Sequence, residues 1–407
     1  MSFDLFENEI LGIVGETGSG KSVTGRSMMG LLPIPPAVVA GGSVTYRPSG
    51  LCPFCEGACC SSCGGTGAAT CPSCGGPGCP ECEGTGRSGI DLLNASVESM
   101  RQLRGRRIAM IFQDASKALN PVLSIRDQVA EVFLQHRSHD LLAGLDGPVL
   151  PPVRRAIRQE AGYLERQLLL FPPFRSQSRR LRKMLDDLVA QALADVQIAN
   201  PRKVMESHPH QLSGGMKQRA MIAQAMACDP DVLIADEPTT ALDTTVQARI
   251  LELILEMRQR SRTAVLYISH DLSVVKMVCD RVGVMYAGTI AEIGSAERVF
   301  RSPHHPYTRA LLGAVPSAGQ ERGHLAAIKG LVPEFSLDSP LCRFHDRCSY
   351  AVDACRSSRP RDVQVAPGHS VACFGYGTAE AHGLPATGGD DLPHVQIPVV
   401  EKGPVGV

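Results

Sequence analysis

The chain has no tryptophan, and aromatic residues make up only 4% of its 407 positions. Its 43% hydrophobic content is still enough to bury a real core, and its length allows two or three domains. An excess of charge is missing too: 41 basic residues balance 41 acidic ones, for a formal charge of +0. That balance argues against a general nucleic-acid binder, which is usually basic. No apolar run approaches the length of a membrane-spanning helix. The start, MSFDLFENEILGIVG, lacks a basic n-region and a proper apolar h-region, so no secretory signal is expected.

What is plentiful is glycine, with 40 residues, and cysteine, with 15. The stretch EILGIVGETGSGKSVTGRSMMGLL reads as strand, loop and helix. The run Ile10–Val14 is apolar and β-prone, and Gly15, Gly18 and Gly20 let the loop fold with its N–H groups inward. Gly15-x-x-x-x-Gly20-Lys21-Ser22 fits a phosphate-binding loop. The predicted cradle is Gly15, Glu16, Thr17, Gly18, Ser19, Gly20, Lys21 and Ser22. Lys21 would reach the β- and γ-phosphates of a nucleotide, the Ser22 hydroxyl would bind Mg²⁺, and the following helix would add its positive end.

Four other segments complete such a site. VLIADEP, residues 232–238, is a buried strand ending in two carboxylates. Asp236 would hold Mg²⁺ through water and Glu237 would polarise the attacking water. LSGGMKQR, residues 212–219, opens a helix whose Ser213, Gly214 and Gly215 offer a second anion site. AVLYISHD is a strand expected to end at His270, placed to touch the γ-phosphate, and IAMIFQD is a strand expected to end at Gln113. Nucleotide chemistry places the chain in the cytosol, where clustered cysteines more often bind metal than form disulfides.

This ordered set resembles the ATP-binding-cassette (ABC) ATPases over about residues 2–300. Walker A is Gly15–Ser22, the Q-loop is at Gln113, and the signature is Leu212–Arg219. Walker B is Val232–Asp236 with Glu237 catalytic, the D-loop is Ala241–Asp243 and the switch is His270. The resemblance implies an α/β fold: a RecA-like core, an antiparallel β subdomain and a helical signature subdomain. It also implies a head-to-tail dimer with ATP sandwiched between one Walker A and the other signature. Gln218 and Asp243 are carried over as nucleotide contacts, and Gln113 as the residue that senses Mg²⁺ and the permease.

Past the cassette come SPHHPYTRALLGAVPS and a cysteine frame, Cys342, Cys348, Cys355 and Cys373, separated by 5, 6 and 17 residues. Four thiolates suit zinc or an iron–sulfur cluster. Both segments look like the tail of the oligopeptide/dipeptide/nickel importer ATPases, and TTALD before TTVQARIL looks like the dipeptide-type member. That resemblance implies a [4Fe–4S] cluster on these four cysteines. Cys228 and Cys279 read as core residues in helical context.

A second cysteine array interrupts the cassette. Cys52/Cys55, Cys60/Cys63, Cys71/Cys74 and Cys79/Cys82 sit in glycine-rich surroundings, enough for two tetrathiolate sites, with Cys59 left over. The pattern is similar to the cysteine-rich region of DnaJ-type chaperones, which implies one Zn²⁺ on Cys52, Cys55, Cys79 and Cys82 and another on Cys60, Cys63, Cys71 and Cys74. Excising residues 51–89 leaves continuous cassette sequence, so the array replaces a hairpin tip. Residues 52–86 hold Glu56, Glu81 and Glu83 and no Lys or Arg. That is the wrong sign for phosphate contact, so no nucleic acid is expected. A docking surface, a metal sensor and a stabilising insert all remain open for this array.

The organisation expected is a cassette over 1–300, with the insert at 51–89 and a helical subdomain at 116–224 enlarged at 138–182. An extension follows at 301–376, then a disordered Gly/Pro-rich tail at 377–407. In the enlargement Ile157, Ala161, Leu164 and Leu168 share one helical face, with Arg154, Arg155, Arg158 and Arg166 off it. The family places two strands and an adenine-stacking aromatic upstream of Walker A, so a further start segment is expected.

The resemblance implies the ATPase subunit of an importer for peptides or a similar solute, nickel among them, peripheral on the cytoplasmic face of the plasma membrane. Its partners would be two integral-membrane permeases, a second ATPase subunit (a copy or a paralogue) and, indirectly, an external solute-binding protein. The alternative is a soluble ABC ATPase acting on nucleic acid or protein, with the cysteine insert as its reader.

Overall fold

The computed structural model describes residues 1–48, 89–145, 148–158, 171, 174–240, 242–315, 328, 330, 332, 333, 335 and 339–376. The chain divides into two compact units, one of residues 1–22 and 266–407, the other of residues 23–265. In chain order the strands are β1 (Ile10–Val14), β2 (Thr45–Tyr46), β3 (Ile90–Asp91), β4 (Ile108–Ile111) and β5 (Val232–Asp236). They continue with β6 (Ala264–Ile268), β7 (Arg281–Tyr286), β8 (Thr289–Ser295), β9 (Asp362–Ala366) and β10 (His369–Ala372).

In the first unit the strand order is β6-β1-β7-β8-β10-β9. β1 runs parallel to β7, with Leu11 opposite Arg281 and Val14 opposite Val284. From β7 onward each neighbour is antiparallel. All five residues of β1 are buried, as a strand covered on both faces requires. Its C-terminal end therefore delivers a rigid start for the loop that follows. The C-terminal extension does more than carry cysteines. Its β10 pairs with β8, Ser370 opposite Ile293, and so enlarges the sheet.

In the second unit β4 and β5 pair in parallel, Ile108 opposite Val232 and Ile111 opposite Ala235. Helices Ile125–His136, Phe174–Asp195 and Gly214–Met226 pack on one another through Val129, Phe133, Val189, Leu193 and Met221, each at most 3% exposed. β2 and β3 are antiparallel, with Thr45 opposite Asp91 and Tyr46 opposite Ile90. The Tyr46 hydroxyl donates to the Asp231 carboxylate, which also lies 3.7 Å from Arg107. This two-stranded ribbon brings together the flanks of residues 49–88, which lie outside the described residues.

Of the enlarged segment, the helix Pro151–Ile157 is described, with Val153 and Ile157 fully buried and Arg154, Arg155 and Arg158 exposed. Ala161, Leu164, Arg166 and Leu168 lie outside the described residues, as do 377–407. Cys228 and Cys279 sit just past helix ends rather than inside helices, Cys279 buried and Cys228 half-buried.

Candidate functional site

The first unit carries the phosphate loop. β1 ends at Val14 and the helix Lys21–Met28 begins after six intervening residues. Gly15 adopts φ +155, and a Cβ there would lie 2.1 Å from the Met285 carbonyl oxygen, so no other residue fits. Lys21 is buried. Its ammonium donates to the carbonyls of Gly15 at 2.8 Å and Glu16 at 3.0 Å and approaches Ser19 Oγ at 3.5 Å. The loop thus wraps a cation at a helix N-terminus, the arrangement that receives phosphate. Gly288 N–H donates to Ser19 O at 2.8 Å and ties the loop to the β7–β8 hairpin.

His270 belongs to the same unit. β6 stops at Ile268, two residues before the expected end, because the chain turns there: Ser269 N–H donates to Ile13 O, and Ser269 Oγ accepts from Asp271 N–H. Asp271 then caps the helix Leu272–Val278. His270 is left exposed beside the end of β1.

The second unit carries the carboxylates and the signature. Asp236, the last residue of β5, is fully buried. Glu237 has φ +47, a left-handed backbone that a non-glycine residue holds only when its surroundings fix it. Two side-chain hydrogen bonds converge on one of its oxygens. Glu237 Oε2 accepts from Gln113 Nε2 at 2.8 Å and from Thr240 Oγ1 at 2.9 Å. Gln113 reaches it from two residues beyond the end of β4, which stops at Ile111 rather than at Gln113.

Ser213 caps the signature helix Gly214–Met226 and accepts from Met216 N–H. Asp243 caps the helix Thr244–Ser261 and accepts from Val246 N–H at 2.9 Å. A Cβ at Gly215 would come within 2.9 Å of Val246 Cγ1, so these two helix starts pack closely. Gln218 is buried and its amide donates to Pro238 O at 2.6 Å, bracing the loop after β5. Ala241 of the D-loop lies outside the described residues. Ser22 falls in the first unit and Asp236 in the second.

Cys342, Cys348, Cys355 and Cys373 line one pocket, walled by Phe344, Tyr350, Val352 and Phe374. All four are free thiols. Burial raises Cys342 to about 12 and Cys348 to about 11, with the neighbouring thiols acting in the same direction, and it also raises Cys373. Four unpaired thiols around one pocket, Cys355 buried and the other three half-buried, are the donor set of a soft metal centre.

The sequence reading missed Glu292, His304 and His369, whose ligand atoms lie within 4.8 Å of one another. Glu292 Oε1 accepts from His304 N–H and faces His369 Nε2 at 2.8 Å, while Oε2 accepts from His305 N–H. The carboxylate is already saturated with donors, which makes this a buried junction between β8, β10 and the HHPY segment. It missed Tyr307 and Arg347 as well, both of which touch Glu16 of the phosphate loop. The eight cysteines assigned to zinc, Cys52, Cys55, Cys60, Cys63, Cys71, Cys74, Cys79 and Cys82, lie outside the described residues. Among the described residues no helix is long and apolar enough to cross a membrane.

Known proteins with similar sequences fit these features. A family profile described as "ABC transporter" matches residues 83–240, and one described as "Oligopeptide/dipeptide transporter, C-terminal region" matches residues 291–355. A probable peptide ABC transporter ATP-binding protein of Sinorhizobium fredii is 39% identical over 92% of this chain and 88% of its own length. The dipeptide transport ATP-binding protein DppD of Bacillus subtilis is 36% identical over 92% of this chain and 87% of its own. A solved dimeric bacterial ABC transporter cassette is 18% identical, with a TM-score of 0.42, over 72% of this chain and 88% of that one. With sequence similarity running through 92% of its length, the chain belongs to the ATP-binding subunits of the oligopeptide/dipeptide ABC transporter family, α/β cassettes that hydrolyse ATP.

Proposed function

We propose that this chain powers peptide import, by binding and hydrolysing ATP beside two membrane-embedded permeases at the cytoplasmic face of the plasma membrane. The observation that carries this reading is the Gly15–Ser22 loop wrapped around the buried Lys21 ammonium. The residues divide the work by their chemistry. The loop N–H groups and Lys21 take the β- and γ-phosphates, and His270 holds the γ-phosphate from beside β1. Ser22 Oγ, the Asp236 carboxylate and the Gln113 amide oxygen are the hard donors that Mg²⁺ prefers, and the ion would neutralise phosphate charge. Glu237, aligned by Gln113 and Thr240, accepts a proton as water attacks the γ-phosphorus and the bond to ADP breaks.

Ser213, Gly214 and Gly215 serve the nucleotide of a second ATPase subunit placed head to tail, with Gln218 and Asp243 shaping the same edge. The four-cysteine pocket fits a [4Fe–4S] cluster, which would supply a rigid or redox-active staple. The ribbon formed by β2 and β3 supports reading residues 51–89 as a module inserted at a hairpin tip, holding zinc on its eight paired cysteines. Metal analysis of the purified chain checks that assignment, and zinc at background level would remove it.

Genetics tests the function. Deleting the gene should abolish uptake of the transported peptides, which a wild-type copy restores and a Lys21→Ala copy does not. Unchanged uptake of every peptide tested, with loss of some unrelated solute, would reassign the cargo.

A further inference from the structure

Glu16 is the first variable residue of the phosphate loop, and every polar group it has is engaged. Its carbonyl accepts from Lys21 Nζ at 3.0 Å and from Ser19 N–H at 3.1 Å. Its N–H donates to the Tyr307 hydroxyl at 2.9 Å. Its carboxylate takes both arms of the Arg347 guanidinium, Nη1 to Oε2 at 2.6 Å and Nη2 to Oε1 at 2.9 Å. The Arg347 side chain is 6% exposed and that of Glu16 24%, so this is a two-pronged, largely buried ion pair rather than a fully exposed one.

Arg347 is the residue before Cys348. It ends a tight turn, His345–Arg347, that Cys342 opens through its carbonyl: His345 N–H donates to Cys342 O at 3.1 Å. Cys342 N–H in turn donates to Cys355 O at 2.8 Å, which locks the turn to a third cysteine. The same short segment thus faces two ways. Cys342 and Cys348 line the thiol pocket, while Arg347 holds the phosphate loop.

The segment has little room to slip. Arg347 packs over the Tyr286 ring at 5.7 Å and Nη1 donates to its hydroxyl at 3.3 Å. Phe344 meets the Tyr286 and Tyr307 rings at 5.2 and 5.3 Å, and Arg343 donates to Ala287 O in the hairpin that also holds Ser19.

We infer that Arg347 is a positioning residue for the phosphate loop, and that it couples nucleotide affinity to the metal group held by the four cysteines. The inference rests on the proposal above that the loop binds ATP and that these thiolates bind a metal centre. The physical reason is geometric. Binding four thiolates to one centre fixes the separations of Cys342, Cys348 and Cys355, and hence the turn that aims Arg347. A guanidinium fork aimed at Glu16 sets where the Glu16 carbonyl meets Lys21. Linkage then works in both directions: a loaded pocket tightens nucleotide binding, and bound nucleotide slows loss of the metal group by the same coupling.

The test uses the purified full-length chain, as isolated and after chelator stripping, with a fluorescent ATP analogue and Mg²⁺ as the probe. Metal content is measured for every sample. Arg347→Met and Glu16→Gln should each weaken binding about tenfold, within the usual range of coupling between sites. The double variant should be no weaker than the worse single one, and Arg347→Lys should recover part of the loss. Stripping should weaken wild type by a similar factor and leave Arg347→Met unchanged. In reverse, the analogue should slow chelator extraction from wild type but not from Arg347→Met. Wild-type affinity in a metal-loaded Arg347→Met would overturn the inference, as would equal effects of stripping on both proteins. If wild type itself fails to bind the analogue, it is the nucleotide reading that falls.

Discussion

Gln113 Nε2 donates a 2.8 Å hydrogen bond to Glu237 Oε2 across 124 residues of chain. A second bond from Thr240 Oγ1 lands on the same oxygen. In the general-base role proposed for Glu237, this pair of bonds would hold the carboxylate's aim and spare reorganisation at the moment of reaction.

Glu237→Gln keeps the acceptor oxygen and the hydrogen bonds to it but removes the basicity. ATP affinity should stay near wild type, while kcat falls by about 10²–10⁴, the usual contribution of a positioned base. Gln113→Ala leaves the base chemically intact but loosely aimed and also removes a proposed Mg²⁺ donor, so kcat should fall by about 10² and Mg²⁺-dependent nucleotide binding should weaken with it. Steady-state hydrolysis together with equilibrium nucleotide binding separates the two. Wild-type turnover in Glu237→Gln would remove it from the chemistry.

Two glycines of the same loop should respond differently to one methyl group. At Gly15 the methyl would sit 2.1 Å from the Met285 carbonyl, which is backbone of β7 and cannot move without disturbing its pairing with β1. At Gly18, φ is +83 but nothing lies within 4 Å of an added Cβ, so only backbone strain of about 1 kcal/mol is incurred. Without nucleotide, Gly15→Ala should lower stability by about 3 kcal/mol or more and Gly18→Ala by about 1 kcal/mol. Urea midpoints of the two variants decide it, and equal midpoints would contradict the clash.

The local parts of this architecture were legible because they are written locally. Ile10–Val14 announces a buried strand by five consecutive apolar residues, and the glycines after it announce a tight loop. The ends of strands were less legible. Ile111 and Ile268 close β4 and β6 ahead of Gln113 and His270, because the intervening residues turn rather than pair. Contacts between distant segments left no trace in the pattern. Glu16 and Arg347 are 331 residues apart, and neither position differs in type from an exposed charge. The capping roles of Ser213 and Asp243 are readable in hindsight, since both residue types precede helices by preference. Reading them only as nucleotide contacts hid that role.

His136 supplies a pH dependence that can be isolated from the carboxylates. It closes the helix Ile125–His136 and packs on Gly105, where an added Cβ would come within 2.8 Å of its Nε2. Burial pushes its pKa down to about 4, and Arg106 and Arg101 push it the same way. In the unfolded chain it titrates at about 6.5. Above that value it is neutral in both states and favours neither. As pH falls from about 6.5 towards 4, the unfolded chain takes up a proton that the folded chain refuses, so stability drops through that window and levels off below it. Glu292 acts lower. Burial raises its pKa, but the contact with His369 and the His304 and His305 amides outweigh that and hold it below the usual carboxylate range. Its stabilisation is therefore complete above about 4.3 and is lost only as pH falls through the depressed value. His136→Gln should lessen the fall in urea midpoint between about pH 7 and pH 5 without abolishing it, because burial also pushes His305 down to about 4, and should leave the steeper loss at lower pH in place. A variant whose midpoints decline as steeply as wild type across that upper window would show that another group is responsible.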